Sequence, residues 1–221
     1  MPRRLHLLVN NEIYHVFNRS VGHEIIFSNK RNLQHTLDLL DYYRFTQKMR
    51  YSQYKTLTKE FKMDYESNFK EQLPLVEIYA YAFMPNHYHL LLKQLQNGGI
   101  GTFIRILQNS FAKYFNIKFD RHGALFQSTF KAKRVETDEE FVHTSRYIHL
   151  NPVTSFLIEF NELSIYPWTS FPIYSKDSLN TFVNTNEIIG RFKTREKYVQ
   201  FVADQADYQR RLGIIKHLIL D

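Results

Sequence analysis

The chain predicts an α+β fold, a ferredoxin-like antiparallel sheet with helices on one face and a C-terminal helical extension, and three observations carry that reading. Segments of period-two alternation and segments of helical period follow one another in the order strand, helix, strand, strand, helix, strand, helix. Two of the strands meet across a Pro-Asn turn, which makes them an antiparallel hairpin. The 221 residues are 43% hydrophobic and 23% charged, enough apolar surface for a core and an argument against wholesale disorder.

Each element has its own local reason. Residues Glu12–Val21, EIYHVFNRSV, are rich in β-branched and aromatic side chains and predict a strand leaving at Gly22. Lys30–Lys48 carries Leu33, Leu37, Leu40 and Tyr43 at helical spacing. Arg50–Gln72 mixes charge and aromatics without a clean apolar period and reads as an exposed helical or irregular insertion. Leu75–Phe83 alternates as a strand and, after Met84-Pro85-Asn86, a second strand runs over His87–Leu95. Gly98–Phe115 sets Phe103, Ile106, Leu107, Ser110, Phe111 and Tyr114 along one helical stripe. Leu125–Glu136 predicts a further strand. Thr137-Asp138-Glu139-Glu140 is a capping-box sequence, so a helix should begin there and run to Leu150, because Pro152 disfavours helical conformation at Asn151. Beyond Val153 the pattern is looser, with Tyr166-Pro167-Trp168 as a loop anchor and helices expected at Asn186–Phe192 and Thr194–Leu212. The expected organisation is one domain over residues 1–172, with the insertion at about 50–72, and a helical appendage over 173–221.

Charge and composition narrow the function. There are 29 Lys and Arg against 22 Asp and Glu, a net charge of +7, and 16% of residues are aromatic, 19 Phe and 15 Tyr among them. Cations neutralise phosphates and rings stack on unpaired bases, so the combination fits a nucleic-acid binder; an aromatic core with ordinary surface solvation would also produce it. The absence of cysteine excludes a disulfide framework, a Cys-based zinc or iron–sulfur site and a thiol nucleophile. Any metal must therefore rest on His, carboxylate or amide oxygen. The apolar run Leu7–Val9 is too short for a signal-peptide core, and no run approaches membrane-spanning length, so the expectation is a cytoplasmic protein with no membrane partner.

Three groups of residues can carry chemistry. His87 and His89 lie two apart on a predicted strand, so both imidazoles face the same way and can approach one cation, while Tyr88 faces the other. They can equally be sheet-surface histidines bonded to neighbours. His143, Tyr147 and Asn151 follow at steps of four on the capped helix and share one face; Asn151 offers an amide oxygen as a third ligand and Tyr147 a hydroxyl one turn away. The plainer alternative is a half-buried amphipathic tyrosine and an asparagine that ends a helix before proline. The third group is a basic, ring-interleaved stretch from Lys113 to Arg134, arranged as a single-strand track would require, although a charge run is also how a solvated face reads.

In combination these strings resemble a known family. MPNHYHLLL, NSFAKYFN, RHGALFQSTFKAKRVE, SRYIHLNPV and YPWTSF stand in the order found in single-tyrosine HUH (IS200-like) transposases, and more narrowly resemble the branch of REP-associated tyrosine transposases, over about residues 10–172. The resemblance implies metal-dependent cleavage and joining of single-stranded DNA at a hairpin bearing a REP-like palindrome. It implies His87 and His89 as metal ligands, Asn151 as the polar residue completing the site, Mg2+ or Mn2+ as the divalent metal, and Tyr147 as the nucleophile that forms a 5′-phosphotyrosine. Tyr114 in FAKYFN is a rival nucleophile, ranked second because no amide-bearing partner marks its helix position. The chain departs from many relatives at Phe111, where they carry tyrosine, and in the length of the Arg50–Gln72 insertion.

Candidate phosphate contacts are Arg19, Arg105, Lys113, Arg121, Lys131, Lys133 and Arg134. Two other readings stand beside the transposase. A domesticated, non-cleaving DNA-hairpin binder would be expected to have lost one of His87, His89, Tyr147 or Asn151, and all four are present. A zinc hydrolase built on the His pair would need a carboxylate as third ligand and base, and no His-Glu motif supplies one. Monomer and homodimer are both compatible with the sequence.

Overall fold

The computed structural model describes residues 8–176 and 182–206. Its centre is a four-stranded antiparallel sheet in the order β2-β3-β1-β4, formed by β1 (Ile13–Arg19), β2 (Val76–Met84), β3 (His87–Gln94) and β4 (Lys131–Val135). This is the ferredoxin-like order that the βαββαβ sequence of elements predicts. The two crossover helices, α1 (Lys30–Tyr43) and α4 (Gly99–Lys118), pack against each other on one face. The helix that follows β4, α5 (Asp138–Thr154), packs on the other. Neighbouring residues of β3 reach opposite faces: the Tyr88 hydroxyl accepts from Gln108 of α4 at 2.8 Å, whereas the His89 ring lies 5.7 Å from that of Tyr147 on α5. The sheet is therefore covered on both sides, and β2 and β3 are buried along almost their whole length, as strands packed on two faces must be.

Several boundaries differ from the sequence pattern, each for a physical reason. The helix expected over 30–48 stops at Tyr43, because the Leu75 amide takes the Arg44 carbonyl and draws the chain toward β2. The insertion folds as two short helices, α2 (Tyr51–Thr56) and α3 (Lys59–Lys70), anchored by buried Tyr51 and Phe69. The strand expected over 125–136 is a ladder only from Lys131. Phe126 does bridge Ser20, but two residues out of register with the β1–β4 ladder, so the segment between them loops away. α5 continues past the expected stop at Leu150 and takes Pro152 into its last turn. There the missing N–H costs one bond at an end that frays anyway, and the Ser155 and Leu157 amides satisfy the Asn151 and Pro152 carbonyls.

The remaining helices are α6 (Phe171–Ser175), α7 (Asn186–Phe192) and α8 (Arg195–Ala203), and their Tyr174, Ile188, Tyr198 and Val202 belong to the same core as the sheet. The expected helix over 194–212 is seen to Ala203, and residues 207–212 lie outside the described residues. The chain after α5 also covers the free edge of β2: Phe83 and Ser170 amides bond the Trp168 and Tyr81 carbonyls, and the Asn184 amide bonds that of Ile78. An edge strand covered in this way offers no template for pairing with another chain. Among the described residues no helix is long and apolar enough to cross a membrane.

One position tests how tightly α4 docks on the sheet. Gly98 turns the chain with φ +69°, and a Cβ on Gly99 would collide with the Leu75 carbonyl oxygen, backbone that cannot swing aside. Gly99→Ala is expected to lower stability by roughly 1–3 kcal/mol, measured by urea denaturation, while an alanine at the open Gly101 is not expected to share that loss.

Candidate active site

The inner strand β3 aims His87 and His89 at the α5 side of the sheet, and its register with β1 places Arg19 opposite His87 and Phe17 opposite His89. The two imidazole centroids are 5.2 Å apart with ring planes at 82°. His87 Nδ1 lies 2.7 Å from the Asn86 side-chain oxygen. That oxygen can only accept, so Nδ1 carries the hydrogen and the neutral ring keeps its lone pair on Nε2. His89 Nδ1 lies 2.8 Å from Nε2 of His15, which stacks on it. When His89 donates in that pair, its own Nε2 is likewise free to act as a ligand, the arrangement by which a second contact orients a metal-binding imidazole.

Burial keeps these rings neutral. It pushes His87 down to about 4, helped by Arg19 and His23, and His15 to about 4, helped by Lys133. His89 is held well below the usual histidine value by burial and then by His15, His87 and Arg19. Neutral imidazoles are the form that binds a cation.

α5 brings the other half. Tyr147 meets both His89 and His15 edge-on at 5.7 Å between centroids, and is 43% exposed. Burial of its ring raises the phenol's pKa, opposed by Asn151. The Asn151 amide nitrogen donates to the Tyr147 carbonyl at 2.9 Å, which leaves its side-chain oxygen as an acceptor. His87, His89, Tyr147 and Asn151 line one cavity of about 410 Å³, bordered by Arg19 and Lys131. Among the described residues no group of three or more His, Cys, Asp or Glu side chains is placed to hold a metal. A cation here would therefore rest on two imidazoles and an amide oxygen, and the free Nε2 and Oδ1 atoms fit that demand.

The helix carrying Tyr147 is fastened from behind. His149 is fully buried, with Nδ1 2.7 Å from the Tyr198 hydroxyl and Nε2 2.7 Å from Ser170 Oγ; Ser145 Oγ reaches the same tyrosine at 3.0 Å. Arg146 lies 4.0 Å over the Phe201 ring and donates to the Phe201 carbonyl. Thr137 caps the first turn by accepting from the Glu140 amide, and Asp138 pairs with Arg191.

The remaining candidates are dispersed. Lys133 and Arg134 line an adjoining groove of about 320 Å³ with His15 and the far side of Tyr147, and Arg134 is paired with Glu12 at 2.7 Å. Arg121 is taken up by Glu24 at 2.7 Å, by Asn116 and by the Ala124 carbonyl, and so braces the loop after α4. Arg105, Lys113 and the rival nucleophile Tyr114 sit on α4, across the sheet from the His pair, where the Tyr114 hydroxyl donates to Asn32. Phe111 is core, packed on Phe27, Phe115 and Phe126. His143 turns from the His87–His89 cavity toward Arg146 and Phe201. Sequence reasoning missed His15 and His149. His15 shares the odd-numbered face of its strand with Phe17 and Arg19, but only the β1–β3 register reveals that this is the face of His89.

Comparison with known proteins gives three results. Residues 42–151, about half of the chain, match the family model described as IS200-like transposase. No curated protein sequence matches the chain significantly. Among solved structures, one described as a REP-associated tyrosine transposase bound to a REP hairpin is similar in fold, with a TM-score of 0.55 and 14% identity, covering 82% of this chain and 90% of the other.

Neutral buried histidines make stability depend on pH. His149 falls to about 3 in the fold through burial alone, against an ordinary value near 6.5. The unfolded chain therefore binds the extra proton first, and stability present above pH 6.5 is lost as pH falls toward 3. Urea denaturation should show a decline between pH 6.5 and 4, with His149 contributing about 1.4 kcal/mol per pH unit. A smaller slope is expected for His149→Gln, and an unchanged slope would remove His149 as its source.

Proposed function

We propose, for a chain that belongs to the family of IS200-like transposases, that it cuts and rejoins single-stranded DNA beside a hairpin through a covalent tyrosine intermediate. The observation that supports this most is the convergence of Tyr147, His87, His89 and Asn151 on one cavity, with Arg19 and Lys131 at its border. In the cut, the Tyr147 hydroxyl oxygen forms a bond to the scissile phosphorus and the bond from phosphorus to the 3′ oxygen breaks, leaving a 5′-phosphotyrosine and a 3′-hydroxyl. The phenol starts neutral, as tyrosine does near neutral pH, so its proton leaves to water while the departing 3′ oxygen takes one up. No water is consumed, and the phosphoester energy is retained for rejoining by the reverse step.

His87, His89 and Asn151 would hold a divalent ion, Mg2+ or Mn2+, which when bound offsets charge on the phosphate. Arg19 and Lys131 bind flanking phosphates, and Lys133 and Arg134 extend that track past the other side of Tyr147. The DNA partner is a strand with a REP-like palindromic hairpin, by analogy with the ligand in the similar structure. The assembly is a monomer or a homodimer. Residues 1–172 would form the catalytic domain of a cytoplasmic enzyme, with 173–221 as an appendage whose Tyr198 and Phe201 brace the tyrosine helix.

The test is incubation with hairpin-bearing single-stranded DNA and Mg2+ or Mn2+, followed by a denaturing gel. A covalent adduct is expected, abolished by Tyr147→Phe or by chelator, while Tyr147→Phe keeps DNA affinity. An adduct surviving in that variant would overturn the role of Tyr147, and hairpin binding with no adduct under any metal would replace the enzyme with a non-cleaving binder. Arg19→Ala with Lys131→Ala should flatten the dependence of log affinity on log salt by roughly 1.4, two single-strand phosphate contacts' worth. An unchanged slope would remove both from the phosphate track.

A further inference from the structure

A larger cavity, about 780 Å³, opens on the far side of the sheet from Tyr147, where the insertion helix α2 leans against α1 and α4. Five cations line it, Arg50, Lys55, Arg105, Lys113 and Lys118, and no Asp or Glu does. None of the five forms an ion pair among the described residues. Behind the wall, Asp38 accepts from the Tyr51 hydroxyl at 2.8 Å and from Gln34 at 2.7 Å, one carboxylate against five cations. Unbalanced positive charge around a concave, largely apolar site calls for an anion with an apolar body.

The wall is aromatic. His35 lies on Tyr114 at 3.9 Å between centroids, with Tyr51 5.6 Å from His35 on its other flank. Burial and then Lys55 push the His35 pKa down to about 4, so its ring is neutral. Its Nε2 is buried with no hydrogen-bond partner, one of two such side-chain atoms among the described residues. Along the rim, Arg105, Asn109 and Lys113 project from α4 at steps of four, exposed on a single stripe.

We infer that this cavity is a second nucleotide-binding site, which takes an unpaired nucleotide of a single DNA strand with its base against His35, Tyr51 and Tyr114 and its phosphates on Arg105, Lys113 and Lys55. The inference rests on the DNA-processing reading of the protein, but concerns a site across the sheet from the chemistry. Nucleotides held here cannot at the same time occupy the Tyr147 groove, so the site grips DNA away from the scissile phosphate. It also assigns work to the insertion, since α2 supplies Tyr51 and Lys55.

The experiment uses the full chain and a labelled six-nucleotide oligo-dT, too short and too uniform to pair. Binding is followed by fluorescence anisotropy, and a 5-iodouracil version of the same oligonucleotide is photo-crosslinked and mapped by mass spectrometry. Crosslinks to Tyr51, Tyr114 or His35 are expected. Arg105→Ala with Lys113→Ala, and separately Ser52→Trp, which fills the cavity without removing charge, should each weaken binding about tenfold while thermal midpoints stay close to that of the parent. Affinities within about twofold of the parent for both variants, or crosslinks confined to the Tyr147 groove, overturn the inference. Free thymidine monophosphate that competes as well as the oligonucleotide overturns the assignment to a strand. A chain that binds no DNA overturns this and the proposed function together, whereas a Tyr147 adduct alongside unchanged oligo-dT binding in both variants overturns this inference alone.

Discussion

Because β3 is hydrogen-bonded along both edges, to β2 and to β1, it cannot slip by one residue without presenting His87 and His89 to α4 and burying Tyr88, Leu90 and Leu92 against α5. That doubly paired register is the constraint from which the site follows. It sets Arg19 and Phe17 beside the two histidines, brings His15 within hydrogen-bond reach of His89, and fixes where a helix must lie for its tyrosine to face them. The apolar half of the alternation locks the polar half in place: slippage would take Tyr88, Leu90 and Leu92 away from the helices they pack on and put the two histidines there instead.

The second half of the site depends on an unusual helix. α5 has polar or charged residues buried on the side away from the cavity, Ser145, Arg146 and His149, where an ordinary amphipathic helix would carry leucines. Their partners come from the chain's last described segment and from the segment that covers the edge of β2, so Tyr198, Phe201 and Ser170 bind α5 through directional contacts. Buried hydrogen bonds of this kind specify one rotation of the helix about its axis, which apolar packing alone leaves looser. That rotation decides whether Tyr147 meets His89.

Local signals were legible in the sequence. The β2–β3 hairpin, the stripe of α4, the cap of α5, α7 and the order of strands and helices all announce themselves through period and turn residues, whereas spacing left plainer alternatives open for His87–His89 and Tyr147–Asn151, and the family resemblance singled them out. What was not legible depends on contacts between distant segments. His15 gains its place only from strand register, β4 shortens because its ladder with β1 shifts register near Phe126, and α5 outlasts Pro152 because the proline falls in its last turn, where following amides satisfy the Asn151 and Pro152 carbonyls. The basic residues show the same limit: close in sequence from Arg105 to Arg134, they divide between two faces of a sheet, and one of them is absorbed by Glu24.

The fastening of α5 has a mechanical consequence. A helix capped at Thr137, clipped at Asp138 and pinned through Arg146 and His149 is a stiff rod fixed at several points along its length. Its tyrosine retains little freedom beyond its own two side-chain torsions. Under the proposed chemistry, a strand end joined to Tyr147 would be moored rather than carried, and the travel needed to bring a new partner end to it would fall to the nucleic acid, which bends and swings more cheaply than this scaffold.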